Sequence, residues 1–264
     1  MLYSMRSLLI AATFLLTAVA ATGAARPDDR KAREQTDRMI VAHGGLERWN
    51  NAPTVSFRKL TGPAGKEKET IVVVEQGRRR TYLDWPAEKS QLVSDGTRVW
   101  STNWKQTAPP SFIANLDYYF LGLPWFTRDP GVRLAMAGTG RLPGRDTDHS
   151  KVRMSFDAGI GDSSDVYTLY IDQKTNLLRG VEYIVTHPGV VGSKSFIGPF
   201  FRIYEDYRTI DGLTVSTNAL SVDANGRVSG TNEFRDVSFR MPFDEKRMKT
   251  PAGAVVDAPP KRKK

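Results

Sequence analysis

The sequence of 264 residues contains no cysteine. That excludes disulfides, a thiolate nucleophile and a cysteine-ligated metal, and it leaves a bacterial lipid anchor without its acceptor thiol. Histidine is scarce too, with three residues at His43, His149 and His187. No pair of them has metal-ligand spacing, so a zinc site would need distant residues to converge. There is no G-x-S-x-G elbow, no Walker loop and no G-x-G-x-x-G after a strand. Gly138-Thr139-Gly140 and Gly159-Ile160-Gly161 read as turns, and acidic pairs such as Glu205-Asp206 read as rim carboxylates. The expectation is a protein that is not an enzyme and uses no cofactor or metal, with a hydrolase lacking a recognisable motif as one alternative.

Long apolar runs are missing except at the start. Arg6 precedes an apolar stretch over 8–20, and the small residues Ala18/Ala20 or Gly23/Ala25 then offer a peptidase site. About 13 apolar residues span roughly 20 Å as a helix, short of the ~30 Å of a bilayer core. The expectation is a signal peptide over residues 1–25, cleaved near Ala25, and a soluble periplasmic protein without a lipid anchor. Acidic residues are outnumbered, 29 against 38 Lys and Arg, for a formal charge of +9. In an exported protein this does not point to nucleic acid. Runs such as Arg78-Arg79-Arg80 and Lys261-Arg262-Lys263-Lys264 read as solvated charge or as attraction to a membrane surface. Residues 249–264, rich in Pro, Ala and charge, read as a disordered basic tail, leaving 26–248 as one folded domain.

One helix is predicted over 30–43, with Ala32, Thr36, Met39, Ile40 and His43 on a shared face, ended by Gly44-Gly45. His43 is expected to cap or pack that end. A further turn is expected over 46–49. Eleven strands follow, over 54–60, 70–76, 79–85, 91–94, 98–102, 151–156, 165–171, 177–186, 200–207, 213–223 and 227–239. Short turns such as Asp95-Gly96 and Asn225-Gly226 join them. So many strands with short connections argue for one curved antiparallel sheet.

One segment interrupts the β pattern. After Pro109-Pro110, a short helix is predicted with Ser111 as its N-cap and Gly122 and Pro124 at its end. It is apolar nearly all round, apart from Asn115 and Asp117, so it must be buried on most sides or cover an apolar cavity. Aromatics cluster here and in the strand near residue 200. Trp85, Trp100, Phe112, Leu116, Tyr119, Phe120, Trp125, Phe200, Phe201 and Tyr204 are the candidate lining and lid of a hydrophobic ligand pocket. Taken singly, each also suits an ordinary core.

Three stretches carry a resemblance: VAHGGLERWNNAPTVSF, YTLYIDQKTNLLRGVEYIV and EDYRTIDGLTVSTNALSVDANGRV…FRDVSF. With the strands between them, the chain resembles the LolA/LolB-like periplasmic lipoprotein-carrier superfamily, in particular its outer-membrane lipoprotein-sorting-like exported members. The resemblance implies an incomplete, strongly curved antiparallel β-barrel of about 11 strands, with the N-terminal helix and residues 112–125 as lids. It implies a carrier that binds a lipid or acylated protein and makes transient contact with a membrane surface or acceptor. A periplasmic lipid-sensing regulator working through a protein partner is the alternative on the same scaffold.

Overall fold

The structure, a computed structural model, describes residues 29–62, 66–158, 164–250 and 252–257. The expected signal peptide, the glycine pair at 159–161 and the basic run at 261–264 lie outside the described residues.

Helix α1 (Arg30–Ala42) is followed by one turn, α2 (Leu46–Asn50). One wing of strands comes next: β1 (Thr54–Thr61), β2 (Lys68–Glu75), β3 (Thr81–Trp85), β4 (Ser90–Ser94) and β5 (Val99–Thr102). Two helices, α3 (Pro110–Ile113) and α4 (Leu116–Phe126), lead to the second wing. That wing holds β6 (Val132–Arg141), β7 (Asp148–Phe156), β8 (Tyr167–Asp172) and β9 (Leu178–Val185), then a turn, α5 (Pro188–Val191). It closes with β10 (Ile197–Ile210), β11 (Leu213–Val222) and β12 (Val228–Ser238); a final strand, β13 (Val255–Asp257), follows a 3-10 turn. All strands join one antiparallel sheet in the order β13-β5-β4-β3-β2-β1-β12-β11-β10-β9-β8-β7-β6, curled but not closed into a barrel. This is the half-barrel with an N-terminal and an inserted helix that the sequence led us to expect.

The sheet has 13 strands, two more than the sequence pattern gave. Gly138-Thr139-Gly140, read as a turn, lies inside β6. It sits where the register with β7 shifts between Met136 and Thr139, so the glycines mark a bulge rather than an end. β13 falls within the stretch of tail-like composition and pairs with the open edge of β5, where unpaired backbone groups accept any extended segment.

Period-2 alternation sorts the side chains between two faces. The concave face carries the main core, with Val55, Phe57, Val72, Leu83, Trp85 and Leu92 from one wing meeting Leu134, Met154, Leu169, Val181, Tyr204 and Phe234 from the other. On the convex face, Val73, Tyr82, Val93 and Trp100 are covered by Met241, Phe243 and Met248 of the C-terminal segment. A third cluster there joins Leu142, Tyr170, Ile203 and Val222.

Helix α1 is fastened at both ends. Its N-cap, Asp29, accepts from the backbone N–H groups of Lys31 (2.9 Å) and of Met136 in β6 (3.1 Å); the bond from Met136 is the main reason its carboxyl is held below the usual carboxylate range. At the other end, the predicted face of Ala32, Thr36, Met39, Ile40 and His43 is fully buried. His43 Nδ1–H donates to Thr214 O (2.6 Å) and Nε2 accepts from Leu178 N–H (3.0 Å), joining α1 to β11 and β9. A carbonyl can only accept and an amide N–H can only donate, so this geometry requires the neutral ring. The next residue, Gly44, has φ +102°, and a Cβ there would lie 2.3 Å from Gly212 O. Only glycine lets the chain turn this close to the β10–β11 hairpin.

Burial pushes the His43 pKa down from 6.5 to about 4, and burial also lowers that of His149. Between these values the unfolded chain binds protons that the native state does not, so stability rises with pH there. Lowering pH from 6.5 to 4 is expected to cost about 1.4 kcal/mol per unit through His43 alone, roughly 3 kcal/mol in all. Urea titrations across this range check it. His43→Gln is expected to be less stable at pH 7 but to show a flatter dependence below 6.5.

Candidate functional site

Apart from β13, the strands β5 and β6 stand at opposite ends of the sheet. Residues 103–131 therefore have to cross the open side of the half-barrel, and they carry α3 and α4 with them. The predicted single helix is two. Pro109, not Ser111, caps α3, and Ser111 N–H bonds Asp257 Oδ2 of β13 instead (2.7 Å). Gly122 and Pro124 lie inside α4 rather than ending it.

Pro124 has no N–H to give to the carbonyl four residues back, which belongs to Phe120. Tyr204 of β10 supplies the missing donor, its hydroxyl bonding Phe120 O at 2.9 Å. A proline that would otherwise break the helix thus creates an acceptor by which the sheet holds it. Gly122 serves a different need: a Cβ there would come 2.8 Å from the rings of Trp49 and Phe126. The space it leaves lets Trp49 stack on Trp125, with centroids 4.3 Å apart and planes 1° from parallel. The Trp125 indole donates to Gly45 O (3.1 Å), and Arg128 binds Arg33 O (2.9 Å) and pairs with Asp37. The C-terminal half of α4 is therefore fixed to α1 and α2.

The N-terminal half is held by polar contacts. Asp117 accepts from Lys59 of β1 in a largely buried ion pair, side chains 6% and 17% exposed. Tyr118 donates to Gln76 of the β2–β3 turn. The Phe120 ring packs on Tyr183 (4.9 Å) and beneath the Arg202 guanidinium (4.6 Å). Burial raises the pKa of Tyr119 on α4 and of Tyr183, Tyr204 and Tyr207 on the wall, so these hydroxyls stay protonated.

Of the residues the sequence singled out, Trp85, Leu116, Tyr119, Phe120, Trp125 and Tyr204 meet on the concave side. Phe112 lies on α3 with its ring against His187 (5.4 Å). Phe200, 38% exposed, touches Tyr183 at the wall's rim (5.6 Å). Trp100 and Phe201 face the convex side with Tyr82 and Ile203 respectively, because each is one residue out of phase with an inward neighbour, Val99 and Arg202. Lys59, Asp117, Tyr183 and Arg202 were missed. The signal for Arg202 was the parity of the strand near 200, which puts it on the same face as Phe200 and Tyr204.

The wall is filled. Between α4 and β9–β12 there remains a void of about 10 Å³ lined by His43, Phe120, Leu178, Tyr204, Tyr207 and Phe234 among others, about the room one water needs. Two larger clefts, about 600 and 300 Å³, lie around α2 at the end of the half-barrel, bordered by Arg48 and Asp211 and by Arg79 and Asp129 respectively. Among the described residues no group of three His, Asp or Glu could hold a metal ion, and no helix is long and apolar enough to cross a membrane.

The fold is an open antiparallel half-barrel plugged by its own apolar helix. No family model and no curated protein sequence matches the chain. Solved structures similar to it include a DUF1329 family protein from Desulfovibrio piger, with TM-score 0.50 and 10% identity over 83% of this chain and 97% of the other. A LolA superfamily protein from Nitrosomonas europaea aligns at TM-score 0.47 and 16% identity, over 78% and 96% of the two chains. An outer membrane lipoprotein-sorting protein domain from Vibrio parahaemolyticus aligns at 0.47 and 10%, over 83% and 96%. At 10% identity the likeness to the Desulfovibrio protein is one of fold.

If Asp117 and Lys59 anchor α4, Asp117→Ala leaves a largely buried ammonium unpaired and is expected to cost about 3 kcal/mol. The double variant Asp117→Leu with Lys59→Met is expected to recover to within about 1 kcal/mol of the wild type. Urea unfolding of the three proteins measures this. A double variant no more stable than Asp117→Ala overturns the pairing.

Proposed function

We propose that the protein is a soluble periplasmic carrier or binding protein for an amphiphilic lipid or a lipid-modified protein, and that α4 is the lid that gives way to the acyl chain. The observation that carries this reading is the plug itself. Residues Tyr118, Phe120, Leu121, Leu123, Trp125 and Phe126 of α4 are buried on the concave face, in the place a ligand would occupy. Withdrawing α4 uncovers an aromatic and aliphatic wall, and an acyl chain covers it again. Each methylene removed from water contributes about 0.8 kcal/mol, so a long chain supplies on the order of 10 kcal/mol against the cost of opening. No reactive group is needed for that work. The sequence resemblance to LolA/LolB-like carriers supports the same reading, and the apolar stretch over 8–20 supports the periplasm as its place.

Native mass spectrometry and lipid extraction of the protein isolated from periplasm test the proposal directly. A lipid-sized adduct is expected. A bare polypeptide mass, together with no uptake of a fluorescent fatty-acyl probe, overturns it.

The lid assignment makes a separate kinetic prediction. Asp117→Asn weakens the hold of Lys59 on α4, so acyl-probe uptake in stopped flow is expected to be several-fold faster than in the wild type. An unchanged rate means that α4 is not the gate.

A further inference from the structure

Arg202 of β10 does not fit an ordinary core. Its side chain is in a residue only 6% exposed, and its Nε and Nη2 are buried without a hydrogen-bond partner among the described residues. No carboxylate among the described residues pairs with it. Its contacts are aromatic: the guanidinium lies 4.6 Å from the Phe120 centroid and 5.7 Å from that of Phe234. Such contacts return only part of what withdrawing a cation from water costs. A methionine would fill the same space without that penalty. A buried donor set left open in this way calls for an acceptor from outside the fold.

A second cation stands on the same wall. Lys59 of β1 lies opposite Phe234 of β12 in the strand register, and Phe234 is one of the two rings under Arg202. Lys59 and Arg202 thus both neighbour Phe234, one in the strand register and the other over its ring. What occupies them in the closed form comes from α4 in both cases, Asp117 on Lys59 and the Phe120 ring on Arg202. Departure of α4 frees the two cations together, next to the apolar wall it uncovers. The Asp117 carboxylate is then the closed form's internal substitute for an anion.

We infer that Arg202, with Lys59 as a second cation on the same wall, is the headgroup site for an anionic amphiphile, whose carboxylate or phosphate takes the guanidinium fork while its acyl chain lies along the concave wall. The inference rests on the carrier reading and narrows it from lipids and lipid-modified proteins in general to acidic lipids. The planar fork of arginine suits either oxyanion in a two-point contact, and in a desolvated site such a contact is strong. A neutral headgroup such as a hydroxyl can accept one of these hydrogen bonds but leaves the guanidinium's charge without a counter-ion.

The test uses the full protein and four competitors of one fluorescent acyl probe: hexadecanoate, hexadecyl phosphate, hexadecanol and inorganic phosphate. The two acids are expected to bind roughly ten-fold tighter than the alcohol, and inorganic phosphate is expected not to compete. Arg202→Met is expected to erase the preference while keeping the alcohol's affinity, and Arg202→Lys to restore part of it. Equal affinity for acid and alcohol in the wild type overturns the headgroup site but leaves the carrier reading standing. Displacement of the probe by inorganic phosphate alone also overturns it, in favour of a small-anion site. Binding of none of the chains overturns the carrier reading and this inference with it. Should Arg202→Met fail to fold by circular dichroism, the wild-type comparison of acid with alcohol decides.

Discussion

A curled sheet whose two ends do not pair has one wall too apolar for water, and something has to cover it. In this chain the covering is fixed by connectivity, because the link from β5 to β6 must cross the open side of the half-barrel. The helix laid down by that crossing, α4, becomes part of the main core together with the strands of both wings. The hydrophobic core and the candidate ligand site are therefore the same set of side chains. On the carrier reading, whatever enters the wall does so in place of α4, and the stability of the closed form opposes binding directly.

The two halves of α4 are attached by different physics. Toward its C-terminus the Trp49–Trp125 stack, the indole bond to Gly45 and the grip of Arg128 on α1 are close-packed and local to the first helices. Toward its N-terminus the attachments run to the sheet and add polar contacts, an ion pair with Lys59 and a hydroxyl donated to Phe120 O, to the packing of Phe120 on Tyr183. Between them stand Gly122 and Pro124, the residues least able to sustain helical hydrogen bonding and backbone stiffness. Polar attachments in a dry site are exchangeable: a ligand that offers an equivalent anion or acceptor can take them over without leaving a buried group unpaired.

Much of this was legible in the sequence. Alternation and turn chemistry gave eleven of the strands, and the buried face of α1 followed from its helical spacing, down to His43. The losses have identifiable causes. β6 was hidden because its glycines mimic a turn while serving as a bulge, and β13 because three residues in a tail-like composition owe their strand to the open edge of β5 alone. Trp100 and Phe201 were placed on the wrong side because aromatic content was weighed without strand phase, which the period of two makes decisive. Arg202 was overlooked since a single arginine in a strand looks solvated. The rings of Phe120 and Phe234, brought from other segments of the chain, cover it. The filled wall was beyond reach altogether, because an apolar helix that plugs a cavity and one that roofs it have the same sequence.

That last distinction governs how tightly a ligand is held. If α4 must leave before a chain can bind, the apparent dissociation constant is the intrinsic one divided by the fraction of molecules with the wall open. Every contact that fastens α4 therefore weakens retention of the ligand and, by the same amount, favours its expulsion when an acceptor draws the equilibrium. A wall empty of its own helix would bind acyl chains more strongly and would also expose a large apolar patch between loadings, a surface prone to association. The arrangement of α4, with one half packed firmly and the other held by an ion pair and a carbonyl freed by Pro124, resolves both demands. On the carrier reading, the wall stays covered when unloaded, and the polar part of the cost of uncovering it falls on contacts that a ligand can take over.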